Sequence, residues 1–414
     1  MKTKAVRLYG EKDIRLEEFE LPAMGEGDIL IRIISDGVCM STYKTVMQGA
    51  KHLRVPDDVA QHPVIVGHEF CAEIVSVGAR WEKEYSVGDK VIIPPVLSYL
   101  GGNQTVGYSF GEIGGVSTYS LVREHVIEHG FLIKLQSDAY FKGSLIEPAS
   151  CVLRGYKASY HLNELNGDTP TTNLKEGGKT VILAGCGPMG LVAIDLALHG
   201  ERKPSLLVVT DLDEDRLRRA EQLFDPADAA KQGIRLVFAN TTSKDELMAL
   251  SDGTGYDDVF VYAPVSSVVE LGDAILAFDG CLNFFAGPVD RALSAPVNFY
   301  NVHYAQHHYA GTSGSTPADI KDIVKMLGED RIDPAVMVTH IGGIDAAIDT
   351  TLNLPHSKGG KKLIYTQIEL PLTAISEFSE LGKTDARFAT LAKLVAAHKG
   401  LWCAEAEKYL LENF

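Results

Sequence analysis

Three side chains in the first 150 residues are of types that bind divalent metal ions. Cys39 follows the apolar run DILIRIISDGV, His68 lies in VIVGHEF, and Glu147 lies in SLIEPAS. A thiolate, an imidazole and a carboxylate suit Zn²⁺, and three protein ligands leave a fourth position open for catalysis. His68 is followed by Glu69, whose charge is costly in an apolar stretch unless it is paired or bound to a metal. A buried free thiol and a hydrogen-bonded core histidine are the alternative, which residue types alone favour.

A glycine-rich turn in VILAGCGPMG predicts a dinucleotide site. It follows a predicted strand, opens a predicted helix, and supplies five candidate cofactor-binding residues: Gly185, Gly187, Pro188, Met189 and Gly190. Such glycines permit a tight turn, a close approach of the pyrophosphate and close helix–strand packing, and the helix N-terminus faces the phosphates. Asp211 ends the next apolar run, where a carboxylate binds the ribose hydroxyls and disfavours a 2′-phosphate. NAD(H) is therefore favoured, and the nearby Arg216 leaves NADP(H) open.

The composition limits the partners and the compartment. The 414 residues carry a net charge of −16, which argues against a nucleic-acid partner. The sequence has no run of eighteen apolar residues and no apolar secretory leader, so we expect neither a membrane partner nor export. Six scattered cysteines are typical of reduced thiols, and a cytoplasmic location is predicted.

The distribution of apolar runs predicts an α/β protein with two domains. Short β-branched runs separated by turn signals fill the first 150 residues, whereas strand-like and helix-like runs alternate from about residue 178. We predict a β-rich domain over residues 1–153 and 331–414, and a doubly wound parallel-sheet domain over residues 154–330. From Leu370 onward the pattern predicts a helical extension.

The motifs DGVCMS, VGHEFCAEIVSVG, VGDKV, LIEPAS and GCGPMG resemble, in order and spacing, the zinc-dependent medium-chain dehydrogenase/reductase family over about residues 1–368. The resemblance implies a GroES-like catalytic domain, a Rossmann domain, and a homodimer or homotetramer. It also implies hydride transfer between a nicotinamide and a carbonyl group polarised by zinc. Its zinc ligands would be Cys39, His68 and Glu147, and Glu69 would orient the site or exchange with water at the metal.

The family resemblance also assigns a proton relay and shows two departures. Ser41 matches the hydroxyl that bonds the substrate oxygen, and Lys44 stands where a relay histidine is common. The sequence has no cysteine between Asp89 and Glu147, so a second, structural zinc is not expected.

A narrower resemblance, to the L-sorbose 1-phosphate reductases of that family, covers the chain up to about Leu370. It implies a sugar or polyol phosphate substrate, with L-sorbose 1-phosphate and D-glucitol 6-phosphate as the pair. Four side chains are candidates for binding the phosphate: Lys44, Lys51, His52 and Arg54. A solvated basic loop is the alternative for these residues. Dehydrogenases of a free polyol or of L-threonine, and a noncatalytic dinucleotide-binding protein, remain alternative functions.

Overall fold

The chain forms two compact units in a computed structural model that describes residues 1–101, 104–166 and 169–414. The first unit contains Met1–Glu147 and Val338–Phe414, and the second contains Pro148–Met337. The predicted domain boundaries, at residues 153/154 and 330/331, both lie inside the second unit. No helix among the described residues is long and apolar enough to cross a bilayer.

The N-terminal part of the first unit is mostly β-structure. Its strands are β1 (Lys2–Gly10), β2 (Asp13–Glu20), β3 (Ile29–Gly37), β4 (Val64–Ile65), β5 (Phe70–Val77), β6 (Lys90–Ile92), β7 (Tyr119–Val122) and β8 (Ile133–Lys134). Its helices are α1 (Met40–Gln48), α2 (Glu124–Glu128) and α3 (Tyr140–Ser144), and α4 (Ile146–Ala158) continues into the second unit. Strands β1, β3, β5 and β6 coincide with the predicted β-branched runs AVRLYG, DILIRIISDGVC, EFCAEIVSVG and DKVIIPP.

The second unit alternates strands and helices. After the hairpin of β9 (Tyr160–Asn166) and β10 (Thr169–Thr172) come six strands: β11 (Lys179–Leu183), β12 (Leu206–Thr210), β13 (Arg235–Ala239), β14 (Tyr256–Val261), β15 (Leu276–Phe284) and β16 (His308–Gly311). The helices are α5 (Pro188–His199), α6 (Glu214–Leu223), α7 (Pro226–Lys231), α8 (Lys244–Leu250), α9 (Ser266–Ala274), α10 (Phe299–Tyr304) and α11 (Pro317–Gly328). These six strands coincide with the predicted strand-like runs TVILAG, SLLVVTD, RLVFAN, DDVFVYA, CLNFFAG and HYAGTSG.

The six strands form one parallel sheet in the order β13-β12-β11-β14-β15-β16. Every residue of β12 is buried, as expected for a strand covered on both faces. The strand order reverses direction at β11, and in sheets of this type ligands bind beyond the carboxyl ends of the strands at that point. The predicted doubly wound Rossmann architecture is confirmed.

The chain returns to the first unit after α11. This segment contains β17 (Val338–Gly343), α12 (Ala347–Asn353), β18 (Lys361–Tyr365), β19 (Thr373–Ala374), α13 (Phe378–Leu381), α14 (Ala386–Ala397) and α15 (Ala404–Asn413). Strands β17, β18 and β19 join a sheet of order β19-β17-β18-β3-β5-β6-β8, and β7 also pairs with β3. The predicted helical extension therefore consists of three helices after a short strand, and it belongs to the β-rich unit.

Candidate active site

Cys39, His68 and Glu69 come together in the first unit near the ends of neighbouring strands. Cys39 follows β3 and is the N-cap of α1, whereas His68 and Glu69 lie between β4 and β5. One possible ligand atom of each residue lies within 4.8 Å of the other two. Strands β3 and β5 are antiparallel neighbours, and the Gly37 amide donates to the Glu69 carbonyl oxygen at 2.7 Å. The pairing of these strands therefore places the thiol beside the imidazole.

The backbone turn before His68 requires glycine. Gly67 has a φ of +93°, and a Cβ there would lie 2.7 Å from the amide nitrogen of Val116. Gly107 packs against the same turn, because a Cβ on it would lie 2.2 Å from the Gly67 carbonyl oxygen. Backbone thus approaches backbone around this loop, and His68 is left only 4% exposed.

The surroundings of His68 favour the neutral imidazole, which is the form that binds a metal ion. Burial lowers its pKa, although the carboxylates of Glu147 and Glu69 act in the opposite direction. Thr42 Oγ1 lies 3.3 Å from Nδ1. Burial therefore favours the neutral ring, whose nitrogens can bind a cation.

Ser41 connects the thiol and the imidazole. Its Oγ lies 2.9 Å from Cys39 Sγ and 3.2 Å from His68 Nε2. Ser41 lies in the first turn of α1, so the helix that begins at Cys39 also sets the position of this hydroxyl. The structure thus places the predicted relay hydroxyl within hydrogen-bonding distance of two of the candidate ligands.

Glu69 forms a buried ion pair that the sequence did not predict. Lys361 Nζ, on β18, lies 2.7 Å from Oε1 and 2.6 Å from Oε2, and the two side chains are 7% and 1% exposed. Burial raises the pKa of Glu69, and the Lys361 ammonium opposes this shift. Asp36 is also buried, accepts a hydrogen bond from the Glu69 amide, and has a raised pKa because of burial and the nearby carboxylate. Lys361 belongs to GGKKLIYT, which no spacing rule connects to His68.

Tyr108 packs between the candidate metal site and a basic loop. Its ring centroid lies 5.1 Å from that of His68 and 5.5 Å from that of His52, with which it stacks. The Arg54 guanidinium lies 5.7 Å from the centre of the same ring. Arg54 also acts electrostatically on His68, since it lowers the pKa of that imidazole. The sequence offered no signal for Tyr108, which lies in a glycine-rich loop.

The other predicted residues of the first unit differ in their surroundings. Lys51 is 78% exposed, and its Nζ lies 2.6 Å from a carboxylate oxygen of Glu11. Lys44 lies on α1, three residues after Ser41. Glu147 lies in the first turn of α4, and its carboxylate raises the pKa of Lys361 as well as that of His68. The charge of Lys51 is thus already matched by a neighbouring carboxylate.

The glycine-rich turn of the second unit joins β11 to α5. Gly187 is the N-cap of α5, Pro188 is its first residue, and Met189 follows in the first turn. A Cβ on Gly190 would lie 2.0 Å from the Gly185 carbonyl oxygen, whereas a Cβ on Gly187 would meet no atom within 4 Å. Gly190 is therefore required by packing, and Gly187 faces open space at the positive end of a twelve-residue helix.

Asp211 lies directly after β12 and bonds the glycine-rich turn. It is 8% exposed and accepts hydrogen bonds from the amides of Cys186, at 3.1 Å, and Asp213, at 3.0 Å. The predicted ribose ligand thus also ties the two loops at the carboxyl ends of β11 and β12. The Arg216 guanidinium lies 3.7 Å from a carboxylate oxygen of Asp213, at the start of α6.

A second group of possible metal ligands occurs in the C-terminal extension. His398, Cys403 and Glu405 also have ligand atoms within 4.8 Å of one another, and His398 Nε2 lies 3.2 Å from Glu405 Oε2. His398 and Glu405 are exposed, in contrast to His68 and Glu69. An assay of bound zinc must therefore distinguish the two groups.

Comparison with known proteins decides the family. Residues 25–130 match the alcohol dehydrogenase GroES-like domain, which includes Cys39, His68 and Glu69. The chain is 45% identical over 411 residues to the L-sorbose 1-phosphate reductase of Klebsiella pneumoniae, covering 99% of this chain and 98% of that protein. The chain belongs to the medium-chain dehydrogenase/reductase family. The predicted GroES-like and Rossmann architecture is confirmed by this match and by the fold.

A second relative and a solved structure are also similar to this chain. The mannitol-1-phosphate 5-dehydrogenase of Aliivibrio fischeri is 43% identical over 416 residues, which is 100% of this chain and 98% of that protein. Among solved structures, the 2R,3R-butanediol dehydrogenase of Bacillus subtilis superposes with a TM-score of 0.70 at 22% identity, over 88% of this chain and 99% of that one. This chain, as a member of the medium-chain dehydrogenase/reductase family, is thus an oxidoreductase.

Proposed function

We propose that this enzyme is a zinc-dependent, NAD(P)-linked dehydrogenase that interconverts a ketose phosphate and a polyol phosphate. The proposal depends mainly on the convergence of Cys39, His68 and Glu69 in a protein that also has a dinucleotide-binding turn. Two relatives of nearly equal identity are named for L-sorbose 1-phosphate and for mannitol 1-phosphate. They support a hexitol phosphate as the substrate class, with L-sorbose 1-phosphate and D-glucitol 6-phosphate as the first pair to test.

The residues of the first unit fit a single catalytic Zn²⁺. The Cys39 thiol, the His68 imidazole and the Glu69 carboxylate converge within 4.8 Å, and burial favours the neutral form of His68. Glu147, which the resemblance gives as the third ligand, lies outside this group and acts on His68 through its charge. This donor set is one that Zn²⁺ prefers. Cys39, His68 and Glu147 would hold the ion, with Glu69 beside it. When bound, Zn²⁺ supplies a Lewis acid that polarises the substrate carbonyl group.

The protein's own residues would orient the substrate and move the proton. The Ser41 hydroxyl would donate to the substrate oxygen during reduction and accept its proton during oxidation. Lys44 lies three residues further along α1, which is the same face of a helix, and it is the proposed next group in the relay. Lys361 would balance the negative charge of Glu69, so that the site carries less excess charge when the thiolate forms.

The glycine-rich turn and Asp211 would hold the cofactor. Open space at Gly187 and the uncovered N-terminus of α5 suit a pyrophosphate. The Asp211 carboxylate would accept hydrogen bonds from the ribose hydroxyls and would repel a 2′-phosphate. NAD(H) is therefore the proposed cofactor, and a preference for NADPH in steady-state kinetics would contradict this choice.

Arg54 and His52 are the proposed phosphate ligands. Both pack on Tyr108, which also contacts the His68 ring, so they lie one side chain away from the proposed metal site. Arginine binds a phosphate through two parallel hydrogen bonds, which a lysine ammonium cannot do. Lys51 already has a carboxylate partner in Glu11 and is a weaker candidate.

Paired substrates test the proposed phosphate recognition. Removal of Arg54 in R54Q should reduce kcat/KM for L-sorbose 1-phosphate by about tenfold to a hundredfold, since a hydrogen bond to a charged group contributes about 1.5–3 kcal/mol. Activity on free L-sorbose should remain nearly constant. K51Q is the matched control and should change neither. Equal wild-type rates on phosphorylated and free ketoses would contradict the phosphate proposal and favour the free-polyol alternative.

Zinc content separates an enzyme from a noncatalytic dinucleotide-binding protein. Protein purified without chelators should contain a zinc ion that C39S loses and C403S retains. C39S should also lose turnover while it binds NADH with nearly wild-type affinity. A wild-type protein with no zinc, or a C39S variant with unchanged activity, would overturn the proposed function.

A further inference from the structure

The C-terminal extension supplies a buried carboxylate to the β-rich unit. Glu407, on α15, is only 2% exposed. Its Oε2 accepts a hydrogen bond from the Tyr140 amide at 2.5 Å, and its Oε1 accepts from the Phe141 amide at 2.7 Å and from the Tyr365 hydroxyl at 2.9 Å. Burial of a carboxylate is costly unless its oxygens are bonded. The extension therefore makes a directional polar contact here in addition to apolar packing.

The two amides that Glu407 binds belong to the first residues of α3. This helix ends at Ser144, and α4 begins two residues later with Glu147 in its first turn. Ser144 Oγ lies 2.6 Å from Ser35 Oγ and donates to the Ser35 carbonyl oxygen at 2.8 Å. Ser35 lies on β3, the strand that leads to Cys39. Helix α3 is thus fixed at one end by the extension and at the other by the strand that precedes the thiol.

A second contact joins the extension to β18. Trp402 is 1% exposed, and its Nε1 donates to the Tyr365 hydroxyl at 2.6 Å. Tyr365 lies on the same strand as Lys361, the partner of Glu69. The extension therefore contacts two elements. Helix α3 leads to Glu147, and strand β18 carries Lys361.

We propose that Glu407 is a positioning residue for the metal site, and that the C-terminal extension sets the placement of Glu147 through α3. This inference rests on the proposed zinc function. A carboxylate that accepts from two adjacent amides fixes the position of that helix, whereas an apolar side chain of the same volume would permit sliding. Residues outside the ligand set that hold metal ligands in place commonly affect metal affinity about tenfold to a hundredfold.

The test compares Glu407 with Leu410, a fully buried residue of the same helix. E407A, E407Q and L410A are made in the full-length chain. Transfer of zinc to a chromogenic chelator and the visible spectrum of the Co²⁺-substituted protein are then measured. The signal that remains in C39S protein is subtracted, which removes any contribution from Cys403. Thermal unfolding of each variant gives the loss of stability.

E407A should release zinc about tenfold faster or more, with a changed Co²⁺ spectrum, because Glu147 is displaced. E407Q should be intermediate, since its carbonyl oxygen still accepts from Phe141 while its amide group faces the Tyr140 amide. L410A should unfold at a lower temperature and keep the wild-type spectrum and release rate. If E407A does not fold, the same comparison is made between E407Q and L410A.

Unchanged zinc release and an unchanged Co²⁺ spectrum in a destabilised Glu407 variant would overturn the positioning role. Equal effects of the Glu407 variants and L410A would also overturn it, because general loosening of the extension would then explain the change. A wild-type protein that holds no zinc at Cys39 is a different result, since it contradicts the proposed function itself.

Discussion

The Glu69–Lys361 pair illustrates how single residues determine the charge balance of this site. Two buried carboxyl groups, Asp36 and Glu69, lie close to the Cys39 thiol, and Lys361 Nζ lies within 2.7 Å of both oxygens of Glu69. Burial raises the pKa of both carboxyl groups. The ammonium of Lys361 opposes this shift in Glu69, so the ion pair favours the charged form of Glu69 and fixes its position.

Removal of the Lys361 ammonium should destabilise the first unit. K361M leaves Glu69 buried without its partner, and the free energy of unfolding should fall by about 3–5 kcal/mol. Urea unfolding followed by circular dichroism measures this change. The double variant K361M/E69Q should recover part of the loss. K4M, which removes an exposed pair with Glu369, should cost less than about 1 kcal/mol, and an equal effect of K4M and K361M would contradict the argument.

At the scale of elements, a strand, a turn and a helix form the proposed cofactor site. The contacts of β11 and α5 leave no volume at Gly190 and open space at Gly187. The two glycines therefore serve different purposes, although they belong to one motif. Packing requires glycine at position 190, whereas the proposed approach of the pyrophosphate requires glycine at position 187.

Alanine substitutions should separate these two purposes. G190A should lower the free energy of unfolding by about 1–3 kcal/mol through overpacking, and it should weaken NADH binding as the turn shifts. G187A should weaken NADH binding with little loss of stability. Thermal unfolding and NADH fluorescence titration measure the two effects. If G187A destabilises the protein as much as G190A, the assignment of open space at Gly187 is wrong.

Helix α15 should make stability depend on pH. Burial raises the pKa of Glu407 from its usual value of 4.5 to about 7. Between these values the unfolded chain is ionised and the folded protein retains the proton, so this contribution to stability is complete below pH 4.5 and declines as the pH rises to about 7.

The variant E407Q cannot titrate at this position. The stability advantage of the wild-type protein over E407Q should therefore be larger at pH 5 than at pH 8, as measured by urea unfolding at both pH values. L410A provides the control, because its stability difference from wild type should be the same at both. An equal advantage at both pH values would mean that Glu407 is ionised in the folded protein over this whole range, and it would contradict the raised pKa.

At the scale of the whole molecule, the candidate metal ligands all belong to the first unit. Bound zinc should therefore stabilise this unit selectively, since a ligand that binds only the folded state adds about 4 kcal/mol at a thousandfold excess over its Kd. Removal of zinc should increase hydrogen exchange in β3 and β5 and leave β11 and β12 unchanged. Mass spectrometry of peptides from the four strands measures this. Equal changes in both units would contradict the assignment.

The sequence by itself determined strands β1, β3, β5, β6 and β11–β16, the two architectures and the residues that could do chemistry. Buried parallel strands must be apolar along their whole length, so β11–β16 could be recognised in the sequence as short apolar runs. Cys39, His68 and the glycine-rich turn were recognisable because a metal ligand or a pyrophosphate turn allows few residue types.

Only the tertiary structure decided what surrounds these residues. Lys361 lies 292 residues after Glu69, and Glu407 lies 266 residues after Phe141. No periodicity connects such pairs, because strand pairing and helix docking bring them together only after folding. The same holds for Tyr108, whose packing distinguishes Arg54 and His52 from Lys51. Local sequence therefore specified the elements and candidate ligands, whereas long-range packing specified their charge partners and their support.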